Sequence, residues 1–334
     1  MNRILLTGAS VAALLVAAPA LAQNNDSDVT QSGSGAVATV DQTGANDVSD
    51  ITQTGGGTVN VNQDGVTGST STVTTSADDR PPESTVDVTQ SDDGSSSAGT
   101  SQANVSTVIQ DNVNGFGLSG TGSTVSVTQT HNAAGAGQND SYVQQGRNAV
   151  SGQVTVDQMG GENVSDYVST TSTDNDADIL QSGTQNTSSV VQNFQNGGAR
   201  ATVNQTGTGG TNNVYIEQVS AGFATTPVEF AVGAEASATQ NGSLNSSSIS
   251  QTGFSETATT ANFASSNQQG NSNTSSITQS GIDGFASLTQ VGNGNDSLIT
   301  QGGSGNSATV SQLSDGNDSI VTQNGTGNTA VVNQ

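Results

Sequence analysis

The stretch from Gly292 to Gln334, GNGNDSLITQGGSGNSATVSQLSDGNDSIVTQNGTGNTAVVNQ, returns to glutamine at a fixed interval. Extended backwards, Gln268, Gln279, Gln290, Gln301, Gln312, Gln323 and Gln334 follow one another every 11 residues. Self-similarity at a fixed period marks a solenoid or an array, in which each repeat packs on its neighbours.

Aligned on those glutamines, the segments read NTSSITQ from Asn273, GFASLTQ from Gly284, NDSLITQ from Asn295, NSATVSQ from Asn306, NDSIVTQ from Asn317 and NTAVVNQ from Asn328. Six or seven residues rich in β-branched side chains and bounded by Gly and Asn read as a strand followed by a turn. Gly270, Gly281, Gly292, Gly303 and Gly325, each two residues after a glutamine, are the expected turn glycines.

Side chains alternate across a strand, so one parity must be the core. One choice places Asn, a small Ser or Ala, an aliphatic residue and Gln inside; the other would bury Asp296, Asp318 and Phe285. An unpaired buried carboxylate costs several kcal/mol, which selects the first. At the small inward position Ser275, Ser297 and Ser319 alternate with Ala286, Ala308 and Ala330, so the structural unit is 22 residues, two facing strands per coil. Coils stacked ~4.8 Å apart let one amide donate to the copy above and accept from the copy below. Two sets of amides are therefore expected to form ladders: the seven glutamines, and Asn273, Asn295, Asn306, Asn317 and Asn328. The expected fold is all-β, a repeat β-solenoid of strand-turn-strand coils with amyloid-like cross-β stacking.

Composition agrees with a stacked repeat better than with a globule. Only 30% of residues are hydrophobic and 3% aromatic, and the formal net charge is −24. Such a chain suits neither nucleic acid nor anionic membrane surfaces. It has no cysteine, so disulfides do not stabilise it. The start, MNRILLTGASVAALLVAAPALAQ, reads as a secretory signal peptide over 1–22 with an A-x-A cleavage site. The mature chain is expected to have no transmembrane segment. Repeats are expected over 23–74, more degenerate ones over 85–220 and regular ones over 236–334. Insertions interrupt them at 75–84 and 221–235, which hold Pro81, Pro82 and Pro227, as a residue unable to donate to a ladder should be placed.

The repeat resembles that of the curlin family, S-x5-Q-x-G-x-x-N-x5-Q. It is matched at Gln181, Gly183, Asn186 and Gln192, at Gln240, Gly242, Asn245 and Gln251, at Gln268, Gly270, Asn273 and Gln279, and from Gln290 through Gly292 and Asn295 to Gln301. Gln31, Gln42, Gln53, Gln63, Gln144, Gln158 and Gln205 keep the Gln-x-Gly signature at drifting intervals. The resemblance implies a secreted subunit of curli-type amyloid fibres on the bacterial surface, self-assembling, acting with other curlin-type subunits and exported through a dedicated outer-membrane channel. The alternative from the residues alone is a monomeric exported solenoid that binds a surface, an adhesin or an ice binder. Gln334, a repeat glutamine, is expected to leave an uncapped coil edge that accepts another molecule.

Residues for catalysis are sparse. With one histidine, His131, and no cysteine, zinc sites and Ser/His/Asp or Cys/His systems lack parts, so no enzyme, cofactor or metal is expected. His131 is expected to be a solvated turn residue. DNDAD at Asp174–Asp178 begins like a calcium loop, but Ile179 stands where that loop needs Gly and Gln185 where it needs Glu.

Overall fold

The computed structural model describes residues 24–65, 67–77, 84–92, 103–112, 122–131, 137–146, 152–169, 175–193, 198–207, 210–219, 234–252 and 262–334. The expected signal peptide, the three insertion prolines and Asp174 lie outside these. Among the described residues there are only strands and turns, arranged as a parallel β-solenoid. No helix of the described residues is long and apolar enough to cross a membrane.

The chain divides into two compact units, Met1–Thr171 and Ser172–Gln334. In the first, successive strands alternate between two parallel sheets. One sheet takes Asp26–Ser32, Val48–Thr54, Thr70–Ala77, Val105–Asn112, Asp140–Gln145 and Val164–Ser169, and the other takes the strands between them. The strand Thr70–Ala77 runs three residues into the stretch read from sequence as an insertion, because Val73 and Thr75 still occupy inward slots. The second unit repeats the scheme. Asn186–Asn193, Asn212–Val219, Ser246–Thr252, Thr274–Ile282, Asp296–Ser304 and Asp318–Thr326 make one sheet. Its other sheet runs from Asp176–Thr184 through Phe263–Gln269, Phe285–Val291 and Ser307–Gln312 to Thr329–Asn333.

Each strand buries alternate residues, and the buried parity is the one with amides and small residues. Strand Asp296–Ser304 buries Ser297, Ile299 and Gln301 and exposes Asp296 and Leu298. The core between the sheets is one layer thick, with Ile277, Ile299 and Val321 on one sheet and Leu288 and Val310 on the other. The aliphatic slot of one sheet lies across from the small slot of the other, as the 2.7 Å contact of Ser266, in register with Leu288, to Ser275 shows. Serine and alanine fill the next slot because two facing strands leave no room there for larger side chains on both sides. In the first unit Ser27, Ser49, Ser71, Ser106, Ser141 and Ser165 form one in-register column.

Register follows side-chain type rather than chain interval. Gln192, Gln218, Gln251, Gln279, Gln301 and Gln323 lie opposite one another in turn although the sequence between neighbours ranges from 22 to 33 residues. Extra residues therefore leave the coil through the turns, and a one-residue slip would turn the amides outward.

Candidate functional site: stacked amide columns

The seven glutamines spaced 11 apart sort onto the two sheets. On one, Gln279 Nε2 donates to Gln301 Oε1 at 2.9 Å, and Gln301 Nε2 to Gln323 Oε1 at 2.8 Å. On the other, Gln268 donates to Gln290 at 2.9 Å, Gln290 to Gln312 at 2.9 Å and Gln312 to Gln334 at 3.0 Å. The second N–H reaches the facing sheet, from Gln268 at the Ser246 carbonyl 22 residues earlier and from the others at the carbonyl 16 residues earlier: Gln279 to Phe263, Gln290 to Thr274, Gln301 to Phe285, Gln312 to Asp296, Gln323 to Ser307 and Gln334 to Asp318, at 2.9–3.0 Å. One side chain thus joins coil to coil and sheet to sheet. Gln268, Gln290 and Gln312 are fully buried, so leaving any of these groups unpaired would cost ~1–3 kcal/mol.

The glutamine columns have a direction. In each pair the earlier coil donates and the later coil accepts. Gln31 Nε2 donates to Gln53 Oε1, Gln42 to Gln63, and the same sense holds at Gln181 to Gln205 and Gln218 to Gln251.

The asparagines form a different device from the amide-to-amide ladder that the spacing suggests. Asn273 Oδ1 accepts the backbone N–H of Asn295 at 3.0 Å, and Asn295 Oδ1 that of Asn317 at 2.9 Å. Asn273 Nδ2 donates to the Gly292 carbonyl at 2.9 Å. Asn306 likewise accepts the Asn328 N–H at 3.0 Å and donates to the Gly325 carbonyl at 3.0 Å. The shorter side chain stays at the corner, where it ties the start of its own strand to the turn and the strand start of the next coil, and at Gln269 or Gly302 to its own turn as well. Side-chain pairing is added at Asn317 to Asn295 and Asn328 to Asn306, at 3.2 and 3.0 Å.

The glycines explain the Gln-x-Gly signature by crowding. A Cβ on Gly270 would run into the carbonyl of Gly292, and one on Gly303 into that of Gly325. Both also have positive φ, 109° and 94°, a conformation that side chains disfavour. Gly292 and Gly325 share the positive φ; Gly281 lacks it but sits against the Gly303 carbonyl. Gly281, Gly303 and Gly325 belong to the ends of strands, where the backbone bends around the corner, and Gly270 and Gly292 follow strand ends.

In the first unit the structure corrects two expectations. Gln145, and not Gln144, faces inward and accepts from Gln110 Nε2 at 2.9 Å. Its neighbours Asn139, Ser141 and Val143 fix the parity, and Gln144 is left to accept from the Tyr142 hydroxyl. His131 is 2% exposed rather than solvated, because it ends the strand Thr124–His131 on the inward side, in register with Gly160. The sequence reading also missed Asp47 and Ser69 in the asparagine slot, Thr75 and Ser169 in the glutamine slot, and the fully buried Tyr167 in the aliphatic slot. A shared N-x-S-x-V-x-Q frame could have found them: Asn25 to Gln31, Asp47 to Gln53, Ser69 to Thr75, Asn104 to Gln110, Asn139 to Gln145 and Asn163 to Ser169 are all versions of it.

The outer faces are mixed. Asp296 pairs with Asp318 across adjacent coils, and the Phe263 and Phe285 rings stack with centroids 5.1 Å apart. Among the described residues no three His, Cys, Asp or Glu side chains gather as metal ligands. Asp176 and Asp178 of the calcium-like stretch are part of a strand.

Residues 283–313, covering the strands Phe285–Val291, Asp296–Ser304 and Ser307–Gln312, match the family model of the curlin associated repeat. The chain carries a curlin repeat. Gln290, Gly292, Asn295, Gln301, Gly303, Asn306 and Gln312 of the matched segment are the residues whose columns and clamps are described above. No curated protein matches the chain.

Proposed function

We propose that the protein is a secreted, non-enzymatic structural subunit of extracellular curli-type amyloid fibres, serving bacterial surface adhesion and biofilm matrix. The observation that carries this reading is the curlin repeat at 283–313, whose glutamines stack coil on coil in one donor-to-acceptor direction. At one edge Gln323 and Gln334 donate to carbonyls of their own coil and to no further glutamine among the described residues; at the other, Gln31 and Gln42 donate inward and present Oε1. Among the described residues the strands Asp318–Thr326 and Thr329–Asn333 are paired on one side only. An unpaired parallel edge with in-register amides is a template for another strand.

A second copy of the chain is complementary to that edge. Gln31 over Gln323 and Gln42 over Gln334 would continue both columns in the same donor-to-acceptor sense, and the Asn317 and Asn328 Oδ1 atoms would receive backbone N–H groups. Curlin-type subunits with the same slots are the other partners this edge suits, and export through a dedicated outer-membrane channel belongs to the same proposal.

Purified residues 23–334, followed by thioflavin fluorescence and electron micrographs, test the reading. Unbranched fibres with a lag removed by preformed seeds are the expected result. A chain that stays monomeric at high concentration while binding cells or surfaces would replace it with the monomeric adhesin.

A further inference from the structure

The asparagine slot of the first unit holds Asn25, Asp47, Ser69, Asn104, Asn139 and Asn163 on successive coils. The asparagines there do two jobs. The side-chain oxygen accepts the backbone N–H of the next coil, as Asn25 Oδ1 does from Asp47 at 3.0 Å. The side-chain nitrogen donates to a carbonyl, as Asn25 Nδ2 does to Gly44 at 3.1 Å and Asn139 Nδ2 to Gly160 at 3.0 Å.

Asp47 does only the first. Its Oδ1 accepts the Ser69 N–H at 3.0 Å, while Oδ2, where an asparagine would carry its donor, is buried without a hydrogen-bond partner. The residue is 0% exposed. In the strand that follows it, Val48–Thr54, in Asp26–Ser32 and Thr70–Ala77 beside it, and in Ala36–Gln42 and Gly57–Asp64 across the core, the inward side chains include no ionisable group. The acids of these strands, Asp26, Asp28, Asp41, Asp50 and Asp64, face solvent. No cation among the described residues of these strands compensates the charge.

We propose that Asp47 is a proton-operated latch on the first coils, acting as an asparagine when protonated and loosening the coil when ionised. A neutral carboxyl can donate from Oδ2, which a carboxylate cannot. Burial pushes its pKa up to about 6, and the Ser69 and Gly68 amides oppose that shift without cancelling it. A carboxyl pKa raised on folding favours the folded state most below its unfolded value. That advantage is lost as pH rises from about 4 to about 6. A rise from 3.8 to about 6 corresponds to about 100-fold in the equilibrium between ordered and opened coil. If the function proposed above holds, the edge strand Asp26–Ser32, whose Asp26 N–H bonds to the Asp47 carbonyl, becomes a better template in mild acid.

Hydrogen exchange on the full chain, monomeric or assembled, tests the latch without depending on fibre formation. Protection factors, corrected for intrinsic exchange, are read for the backbone amides of Asp26, Asp47, Val48 and Ser69 at pH 4.5 and 7.5. They should fall up to about 100-fold at the higher pH in the natural chain and stay level in Asp47→Asn. Asp50→Asn, an outward carboxyl of the strand that follows, should leave the fall intact. Asp47→Ser, copying the Ser69 coil, provides a second variant should the first fail to fold. A natural chain with level protection, an unchanged fall in Asp47→Asn or Asp47→Ser, or an Asp47 carboxyl titrating near 4 in the folded chain would overturn the proposal.

Discussion

Two regions of this molecule run the same frame with different strictness. Over 262–334 neighbouring coils are 22 residues apart, and every strand that reaches the glutamine slot fills it with glutamine. Over 24–169 the interval between register partners swings from 21 residues at Gln42 and Gln63 to 39 at Gln90 and Gln129, and one column is interrupted at Thr75 and at Ser169. Both regions nevertheless keep parallel register and a buried aliphatic slot, from Val29 and Ile51 to Ile299 and Val321, which only Tyr167 and Ser266 fill otherwise among the described residues. The difference teaches which contact is indispensable. Backbone ladders and the aliphatic layer hold each coil, while the amide column reinforces them coil by coil and tolerates gaps, at the cost of the lost bonds.

The largest effect expected from that division is at an uninterrupted column. Gln301→Leu strands three groups, the Gln279 N–H, the Gln323 Oε1 and the Phe285 carbonyl, at ~1–3 kcal/mol each. Gln53→Leu sits next to the Thr75 gap and strands two, the Gln31 N–H and the Gly57 carbonyl. Denaturant midpoints and assembly lag times should place Gln301→Leu clearly below Gln53→Leu. Equal losses would mean that gaps do not insulate the column.

A smaller contrast lies within one turn of the regular region. Gly303→Ala adds a collision with the Gly325 carbonyl to an unfavourable φ of 94°, whereas Gly305→Ala, at φ 63°, meets open space. The first should cost more than ~2 kcal/mol and the second ~1 kcal/mol, read from the same denaturant midpoints. If both are tolerated alike, coil-to-coil crowding is not what selects glycine.

The smallest expected effect is a gain. Thr75→Gln would close the gap between Gln53 and Gln110, and each new amide bond should add ~1 kcal/mol. A higher denaturant midpoint would show that the irregular unit gives up stability for nothing the column needs; a lower one would show that the Thr75 coil is too narrow for the longer side chain.

The strand-turn-strand coil, the inward parity and the 22-residue unit were legible because Ser and Ala alternate and Asp296 and Asp318 mark the outside. The role of the asparagines was not, since sequence spacing is identical for a side-chain ladder and for a corner clamp, and only the length of the side chain relative to the turn separates them. Asp47 escaped because the rule that excluded buried carboxylates is true on average and fails where backbone N–H groups supply half of what the group requires. Gln145 escaped for a simpler reason: with Gln144 beside it and Gly146 following, the Gln-x-Gly signature points to the wrong neighbour.

One chain stacks its own coils, glutamine on glutamine, and the proposed assembly would continue those columns into the next molecule. Cryo-electron microscopy of fibres grown from residues 23–334 tests it most directly. The account predicts that successive layers within a fibre are successive coils of one chain, with Gln301 between Gln279 and Gln323, and that Gln31 of the next chain follows Gln323. Layers in which each chain contributes a single level, so that Gln301 of one molecule stacks on Gln301 of another, would contradict it.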